Sequence, residues 1–475
     1  MTEILSILLL PLYIYTLIST ILVLLMENRN AAKSLAWVMV LIFLPLFGLI
    51  LYLLVGQDHR KIKIISKKSI RRVNNRPVAN LDLEEIKTKG LTDSQLKLVK
   101  LLYHNNESLG YASNKIEVLA DGETTFNSLF EAIRNAKKHI HIQFFIFGDD
   151  RISNQLRELL IQKAQEGVRV RMIYDYWGSF DLSKKYLKTL RESGAFVRSF
   201  LPLRLRFSRS KINYRNHRKM VIVDGKIGFT GGLNVADRYI YGNTLGTWRD
   251  TFIRMEGAVV HGLQLSFLVD WYFVERKFIQ GSSYFPKPEK FENDNLIQIV
   301  TGGPDSDWKA ILQGISYAMV NATKYIYIHT PYYIPPSVLE NCIQIAALSG
   351  IDVRLLIPVK SDSALSDAST RTYLGRAMEA GVRIYQYNKG FLHSKAIVID
   401  DFISIVGSCN LDERSFGQNF EANAFIYESK TALQLKELFL QDIKGCEELS
   451  LEGWRKRKKF QKFKESLARL FSPIL

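Results

Sequence analysis

Two long apolar segments open the chain. Ile4 to Met26 and Ser34 to Gly56 contain no charged residue, and each is long enough, at about 1.5 Å per helical residue, to cross a hydrocarbon core of about 30 Å. Only the short segment Glu27 to Lys33 separates them, so the pattern predicts a transmembrane helical hairpin over residues 1–58. A cleaved signal peptide is the alternative for the first segment, but its Met-Thr-Glu start lacks a basic residue and a second apolar segment follows at once.

Beyond residue 58 the apolar segments become short. Residues 59–114 are predicted to form a basic juxtamembrane segment and a polar connector, with a helix around Ser94 to Tyr103. From residue 115, strand-length apolar segments alternate with helix-length ones, which is typical of layered α/β domains. The order occurs twice, because Ala132 to Gln143 resembles Ala318 to His329. The pattern predicts two duplicated α/β domains, residues 115–290 and 291–475.

Each predicted domain carries the same spaced motif, H-x-K-x4-D-x6-G-[GS]-x-N. Its residues are His217, Lys219, Asp224, Gly231, Gly232 and Asn234 in the first copy, and His393, Lys395, Asp400, Gly407, Ser408 and Asn410 in the second. A single histidine in such a strand is as often structural as functional. Two copies with identical internal spacing indicate a duplicated functional unit.

The strand period of two predicts that the histidine and lysine of each copy lie on one face. Asp224-Gly225 is a strong signal for a two-residue hairpin turn, which would place His217 opposite Gly232. The same register would place His393 opposite Ser408, and both small residues would let a phosphate approach. In the strand alternation, Asp224 and Asp400 fall on the face opposite the histidines, so we expect them to stabilise the hairpin turns rather than to contact the phosphorus.

These residue types suit phosphodiester chemistry. A neutral imidazole can attack phosphorus while a second, protonated imidazole donates to the leaving oxygen. Lysine ammonium groups and the amides of Asn234 and Asn410 can stabilise the phosphate oxygens. The cysteines Cys342, Cys409 and Cys446 are scattered and no cluster has metal-ligand spacing. The sequence therefore predicts neither a metal nor a cofactor.

The doubled motif resembles that of the phospholipase D superfamily. The resemblance covers roughly residue 115 to the C-terminus and implies two αβαβα sandwich domains related by a pseudo-twofold axis, with both histidines at one active site. It further implies a phosphohistidine intermediate, with His217 as nucleophile and His393 as acid and then base. Family members carry an acidic residue downstream of each motif that orients a histidine. Asp250 and Glu421 occupy comparable positions, the alternative for each being a surface carboxylate.

Charge is concentrated beside the apolar segments and at the C-terminus. The chain carries a net +17, and residues 57–76 and 453–475 each contain eight basic residues against one acidic residue. The first cluster follows the second apolar segment, so the positive-inside rule predicts a cytoplasmic catalytic body. The tail predicts either a basic amphipathic helix on anionic lipid or a terminal helix docked on the second domain. The near-neutral body argues against a nucleic-acid partner.

The apolar hairpin joined to two such motifs resembles the bacterial cardiolipin synthase subgroup of this superfamily. The resemblance implies a multi-pass enzyme of the bacterial inner membrane that transfers a phosphatidyl group between two phosphatidylglycerol molecules, releasing glycerol. A membrane-bound phospholipase D or a phosphatidyltransferase with another head-group alcohol remains an alternative, and a nuclease is a weaker one. The sequence predicts no particular oligomeric state.

Overall fold

A computed structural model describes residues 11, 13–15, 17–22, 31–52, 90–202, 213–279, 281–292 and 295–472. The chain divides into two compact units, Met1–Ile62 with Leu203–Tyr214, and Lys63–Pro202 with Arg215–Leu475. The basic cluster predicted beside the second apolar segment lies outside the described residues.

Within the first unit, the predicted second apolar segment forms two helices, α1 (Ala31–Phe43) and α2 (Pro45–Leu51). The break falls at Leu44 because the residue before a proline is disfavoured in helical conformation. Trp37 and Tyr52 pack edge to face with their ring centroids 5.4 Å apart. Among the residues described, none of the helices has both the length and the apolarity needed to cross a membrane. Much of the predicted first span lies outside those residues.

The second unit contains all the remaining labelled elements. Its helices are α3 (Asp93–Asn106), α4 (Gly122–Arg134), α5 (Arg151–Gln165), α6 (Lys184–Glu192), α7 (Val260–Glu275), α8 (Ala310–Val320), α9 (Ser337–Leu348), α10 (Ala364–Glu379), α11 (Glu413–Gly417), α12 (Ser429–Asp442), α13 (Leu451–Arg455) and α14 (Lys459–Arg469). Short 3₁₀ turns lie at Asp237–Tyr239 and Ser282–Tyr284.

The strands of this unit alternate with its helices. They are β1 (Gly110–Ala112), β2 (Lys115–Leu119), β3 (His139–Phe144), β4 (Arg169–Asp175), β5 (Phe196–Phe200), β6 (Arg215–Asn216), β7 (Met220–Val223), β8 (Ile227–Gly231), β9 (Trp248–Arg249), β10 (Phe252–Glu256), β11 (Leu296–Gly302), β12 (Tyr325–His329), β13 (Tyr333–Ile334), β14 (Asp352–Pro358), β15 (Arg383–Tyr387), β16 (Phe391–Leu392), β17 (Ala396–Ile399), β18 (Ile403–Gly407), β19 (Leu411–Asp412), β20 (Asn419–Tyr427) and β21 (Glu447–Glu448).

Two mixed sheets repeat one strand order. The first half has the order β2-β10-β8-β7-β3-β4-β5, and the second has β1-β11-β20-β18-β17-β12-β14-β15-β21. The run β10-β8-β7-β3-β4-β5 corresponds strand for strand to β20-β18-β17-β12-β14-β15. In both halves the crossover strands are parallel and the motif hairpin is antiparallel. The predicted duplicated α/β architecture is confirmed.

Strand periodicity accounts for the core of the first half. Along β3, Ile140, Ile142 and Phe144 enter the apolar core with Leu129 of α4 and Leu156 of α5. The intervening residues face the long helix α7, where His139 and His141 both contact Gln264. Helices therefore cover both faces of the sheet, as expected for an α/β layer structure.

The segment that precedes the first half completes the second half. α3 begins with a capping box between Thr92 and Gln95, and its Leu98, Val99 and Leu102 are buried in the core of the second half. β1 then pairs with β11 at the edge of the second sheet. The predicted helix is confirmed. Residues 90–114 were predicted as part of a polar connector, but the apolar stripe of α3 is buried in the core of the second half.

Candidate active site

The first motif lies on the β7–β8 hairpin. Val223 pairs with Ile227, and the amide of Lys226 donates to the carbonyl oxygen of Val223 at 3.0 Å. Three residues therefore separate the strands, because the turn closes at Lys226 before pairing resumes. The predicted two-residue turn is wrong by one position, and so is the predicted pairing of His217 with Gly232.

The second motif repeats this register on the β17–β18 hairpin. Ile399 pairs with Ile403, and the amide of Phe402 donates to the carbonyl oxygen of Ile399 at 3.2 Å. The predicted pairing of His393 with Ser408 is wrong for the same reason. The error is identical in both copies, as a duplicated hairpin requires.

Both motif aspartates lie in these turns with positive φ, 55° for Asp224 and 54° for Asp400, a conformation that Asp tolerates better than most residues. The Asp224 carboxylate accepts hydrogen bonds from the amides of Lys137, Lys138 and His139 at 2.7 to 2.8 Å. The Asp400 carboxylate accepts from the corresponding amides of residues 323 to 325. Each aspartate thus ties its hairpin to the start of the neighbouring antiparallel strand, β3 in the first half and β12 in the second.

Short parallel strand pairs join the two halves at the histidines. β6 pairs with β20, and β9 pairs with β16. The amide of His217 donates to the carbonyl oxygen of Phe420 at 2.9 Å, and the amide of His393 donates to that of Arg249 at 2.8 Å. His217 and Lys219 accordingly lie just before β7 rather than on it, since this segment bonds to the opposite half.

Each histidine meets a carboxylate from the opposite half. His217 Nδ1 lies 2.9 Å from Glu421 Oε1, and His393 Nδ1 lies 2.6 Å from Asp250 Oδ2. All four side chains are buried, and neither carboxylate retains any solvent exposure. The arrangement excludes the alternative that these carboxylates belong to the surface.

The fifth motif residue, Gly232 in the first copy and Ser408 in the second, differs between the copies because the histidine-bound carboxylates differ in length. A Cβ atom built on Gly232 would lie 2.1 Å from Asp250 Oδ1, so the shorter acid leaves no room for a side chain there. In the second copy, Ser408 Oγ donates to Glu421 Oε2 at 2.5 Å. Both residues contact the histidine-bound carboxylates.

The two motif lysines are buried beside their histidines. Lys219 Nζ donates to the carbonyl oxygen of His217 at 2.7 Å, and Lys395 Nζ donates to that of His393. Burial lowers the pKa of Lys395 to about 8 and holds that of Lys219 well below its usual range. Burial, and after it the charges of Lys395 and Lys219, hold the pKa of His393 well below its usual value, so lysines of both copies act on one histidine.

The two histidine–carboxylate pairs differ electrostatically. Burial raises the pKa of Glu421, but His217 and Lys219 outweigh it and hold that pKa below its usual value. Burial raises the pKa of Asp250 to about 7. Burial also lowers the pKa of His217 to about 4, so its imidazole is neutral at neutral pH. A neutral His217 that donates from Nδ1 to an ionised Glu421 carries its free lone pair on Nε2.

The motif asparagines contact protein groups beside the histidines. Asn234 Oδ1 accepts from the amide of Ile146 at 3.1 Å, and its Nδ2 donates to Tyr239 Oη at 3.0 Å. Tyr239 Oη in turn lies 3.4 Å from His393 Nδ1. Asn410 Oδ1 is buried without a hydrogen-bond partner among the described residues. The two copies therefore differ here.

Sequence reasoning missed a buried ion pair behind His217. Arg218 donates to Asp270 Oδ1 at 2.6 Å, to the carbonyl oxygen of Glu421 at 3.1 Å and to that of Gly302 at 3.2 Å. The signal in the sequence was Arg218 itself, a charged residue between His217 and Lys219. Strand alternation points its side chain to the opposite face from theirs, toward the core.

In the part of the chain that is described, no three His, Cys, Asp or Glu side chains are grouped as metal ligands.

Comparisons with known proteins agree with this site. The family profile described as "Cardiolipin synthase, PLD-like domain" matches residues 129–244 and 315–443, which contain both motifs, and "Phospholipase_D-nuclease N-terminal" matches residues 12–57. The chain is 41% identical to the major cardiolipin synthase of Bacillus subtilis, over 99% of both chains. It is 39% identical to a cardiolipin synthase of Listeria monocytogenes, over 95% of both.

Among solved structures, Haemophilus influenzae phosphatidylserine synthase is similar in fold, with a TM-score of 0.62 at 14% identity over 80% of this chain and 100% of that one. The resemblance to the phospholipase D superfamily is confirmed by the family match and by full-length relatives. The chain therefore belongs to the cardiolipin synthase family of phospholipase D-like proteins.

Proposed function

We propose that this protein is a cardiolipin synthase that converts two molecules of phosphatidylglycerol into cardiolipin and free glycerol. The observation that carries the proposal is the pair of buried histidines, each held at Nδ1 by a carboxylate of the opposite half. Two such imidazoles beside two buried lysines supply a nucleophile, a proton carrier and positive charge for a phosphodiester. Full-length relatives that carry the name cardiolipin synthase support the choice of substrate.

In the first step, His217 Nε2 attacks the phosphorus of phosphatidylglycerol. A nitrogen–phosphorus bond forms as the bond from phosphorus to the glycerol oxygen breaks, and His393 gives that oxygen its proton. Free glycerol leaves, and a phosphatidyl group remains on His217. Lys219 and Lys395 offset the negative charge on the phosphate oxygens during the displacement.

In the second step, a second phosphatidylglycerol supplies the nucleophile. Its terminal hydroxyl gives a proton to His393 as the oxygen attacks phosphorus, and the bond from phosphorus to His217 Nε2 breaks. The product is cardiolipin, and both imidazoles return to their starting protonation states. Because each proton that leaves His393 in the first step is regained in the second, the cycle needs no external acid or base.

The unequal electrostatics of the two pairs support these roles. The imidazole that becomes phosphorylated must carry positive charge, and the depressed pKa of Glu421 keeps an ionised carboxylate beside His217 to stabilise that charge. Asp250, whose pKa is about 7, can exchange a proton with its histidine near neutral pH. That property suits the residue that donates and then accepts a proton.

We also propose that the protein is an integral protein of the bacterial inner membrane with its catalytic body in the cytoplasm. The charge-free segments 4–26 and 34–56 are the proposed spans, and the basic residues of 57–76 set the orientation. Anchoring in a bilayer that contains phosphatidylglycerol concentrates the lipid alcohol at the site. Transfer to that alcohol then competes with hydrolysis.

Product analysis with the purified full chain tests the proposal. In vesicles that contain phosphatidylglycerol, cardiolipin and free glycerol should form in equal amounts, resolved by thin-layer chromatography. His217→Ala should abolish both products, while the matched control His104→Ala, which changes an exposed histidine on α3, should leave them unchanged. Phosphatidic acid as the sole lipid product would refute the transferase function in favour of a phospholipase D.

A further inference from the structure

The C-terminal helix α14 presents two different faces. Glu465 and Ala468 are buried on one of them, and α14 packs along α10. Glu465 accepts from Arg457 Nη1 at 2.8 to 2.9 Å, and the Arg457 guanidinium stacks 3.5 Å from the ring centroid of Trp454. Of the two alternatives for the tail, the structure therefore contains the docked helix, but docking uses only one side of it.

The opposite side of α14 carries an uncovered apolar stripe. Five large apolar side chains remain between 45% and 70% exposed, namely Phe460, Phe463, Leu467, Leu470 and Phe471. Phe460, Phe463 and Leu467 lie on α14 itself, and Leu470 and Phe471 follow its last residue in the closing turn. Projected at about 100° per residue, the five fall within an arc of roughly 100° that does not include the buried Glu465 and Ala468. An exposed apolar stripe of this size marks a surface that binds a membrane or another protein.

The surroundings of the stripe are strongly basic. Lys464 lies on one edge of the stripe, with Nζ 4.6 Å from the ring centroid of Phe460, and Lys459 lies on the other edge. Residues 453–475 contain eight basic residues and one acid, and that acid, Glu465, is paired with Arg457. A second copy of this face would bring like charges together, whereas an anionic surface would be attracted.

The stripe extends toward the N-terminal part of α10. At one end of the helix pair, Arg455 donates to Glu379 at 3.0 Å; at the other, the hydroxyls of Ser472 and Ser369 lie 2.8 Å apart. The next residue of α10, Thr370, accepts at 3.2 Å from the first backbone amide of β13, and β13 pairs with β19, which directly follows the second motif. The apolar stripe therefore ends beside the part of α10 that contacts the strands next to the second motif.

We propose that α14 is a pre-built docking surface for an anionic phospholipid bilayer. Its apolar stripe enters the acyl boundary, its flanking lysines contact anionic headgroups, and its opposite face holds the helix rigidly on α10. The surface thereby sets the orientation of the second half relative to the lipid. This inference goes beyond the proposed reaction and does not require it.

Depth measurement on the full chain tests the inference. A nitroxide label is attached to Leu467→Cys in a Cys446→Ser background, since Cys342 and Cys409 are buried. The protein is reconstituted in vesicles of phosphatidylglycerol and phosphatidylcholine, and collisions with oxygen and with a water-soluble nickel chelate are compared. We expect the label at 467 to be protected from the chelate and accessible to oxygen.

The matched control is the same label at Ser466→Cys, one residue away and about 100° around the helix, which should stay accessible to the chelate. Vesicles of phosphatidylcholine alone, or high salt, should reduce protection at 467. Equal chelate access at both positions would overturn the inference, and equal depth in both lipid compositions would overturn its electrostatic part. Protection at 467 that persists in detergent together with a doubled mass would assign the stripe to a second copy instead. None of these outcomes depends on catalytic activity.

Discussion

Glu421 accepts a hydrogen bond from His217 across 204 positions of the chain, with Nδ1 of the imidazole 2.9 Å from the carboxylate. The corresponding pair in the other direction, His393 with Asp250, spans 143 positions. Each half thus supplies the group that orients the histidine of the other. Neither half contains a complete site, so activity depends on the interface between them.

Glu421→Gln should lower kcat about 10²- to 10⁴-fold, because the amide can still accept from Nδ1 but cannot stabilise a positively charged imidazole. Steady-state formation of cardiolipin measures the effect. Glu379→Gln is the control, since that carboxylate is half-exposed in its contact with Arg455 and exposed pairs contribute little. Activity within twofold of wild type for Glu421→Gln would show that the charge is not needed.

His217→Ala should abolish covalent labelling by phosphatidylglycerol that carries a labelled phosphate, because the acceptor nitrogen is lost. His393→Ala should still form the adduct when the leaving group is an activated phenol, which needs no proton. The adduct is collected after denaturation at alkaline pH, where phosphorus–nitrogen bonds persist. Labelling that survives in His217→Ala and disappears in His393→Ala would reverse the two roles.

The value of kcat/KM should fall as the pH rises above about 8, because burial lowers the pKa of Lys395 to about 8 and the proposed mechanism uses its charge to offset that of the phosphate oxygens. Between that value and the ordinary value of 10.5 the unfolded chain binds more protons than the folded one, so this group makes the folded protein more stable as the pH rises. Loss of activity without a fall in melting temperature would separate titration from unfolding. A flat profile up to pH 10 would contradict this assignment.

Gly232→Ser should abolish activity, although it would make the first motif identical to the second. The new Cβ atom would lie 2.1 Å from Asp250 Oδ1 and displace the carboxylate from His393. Ser408→Gly removes one hydrogen bond to Glu421 and should cost only about tenfold in kcat. Gly417→Ala is the control, since its Cβ would approach only Lys309 Nζ, at 3.9 Å. Equal losses for Gly232→Ser and Ser408→Gly would contradict the steric explanation.

Arg218→Met should destabilise the folded protein by about 3 to 5 kcal/mol, because it leaves the buried Asp270 carboxylate without its cation. Denaturant unfolding followed by tryptophan fluorescence measures the change. The double variant Arg218→Met with Asp270→Leu should recover much of the stability, since no buried charge remains unpaired. A double variant no more stable than the single one would show that the Arg218–Asp270 pair contributes net stability of its own.

Local sequence signals predicted the elements that carry the site but misjudged their register. The Asp224-Gly225 turn and the apolar strands around it were identifiable because φ preference and strand period are local properties. The turn length was wrong in both copies, because Lys226 and Phe402 close their turns one residue later. The length of each turn depends on how the whole hairpin packs into its sheet.

The connector shows that local signals predict a helix but do not predict what it packs against. Its helix near Ser94 was predicted correctly from local signals, but its role was not, because Leu98, Val99 and Leu102 are buried against strands that follow almost two hundred residues later. The same is true of the C-terminal tail. Its amphipathic pattern was visible in the sequence, whereas which side docks on α10 depends on Trp454, Arg457 and their packing.

The sequence by itself determined that this protein has two copies of one α/β unit, each with a histidine and a lysine before a hairpin, since duplication and periodicity are written in residue order. Only the tertiary structure decided that Asp250 serves His393 and that Glu421 serves His217. The physical reason is that these pairs form where short strands of one half bond to the other. Their electrostatic inequality arises in the same way, because burial and neighbouring charges exist only once the halves meet.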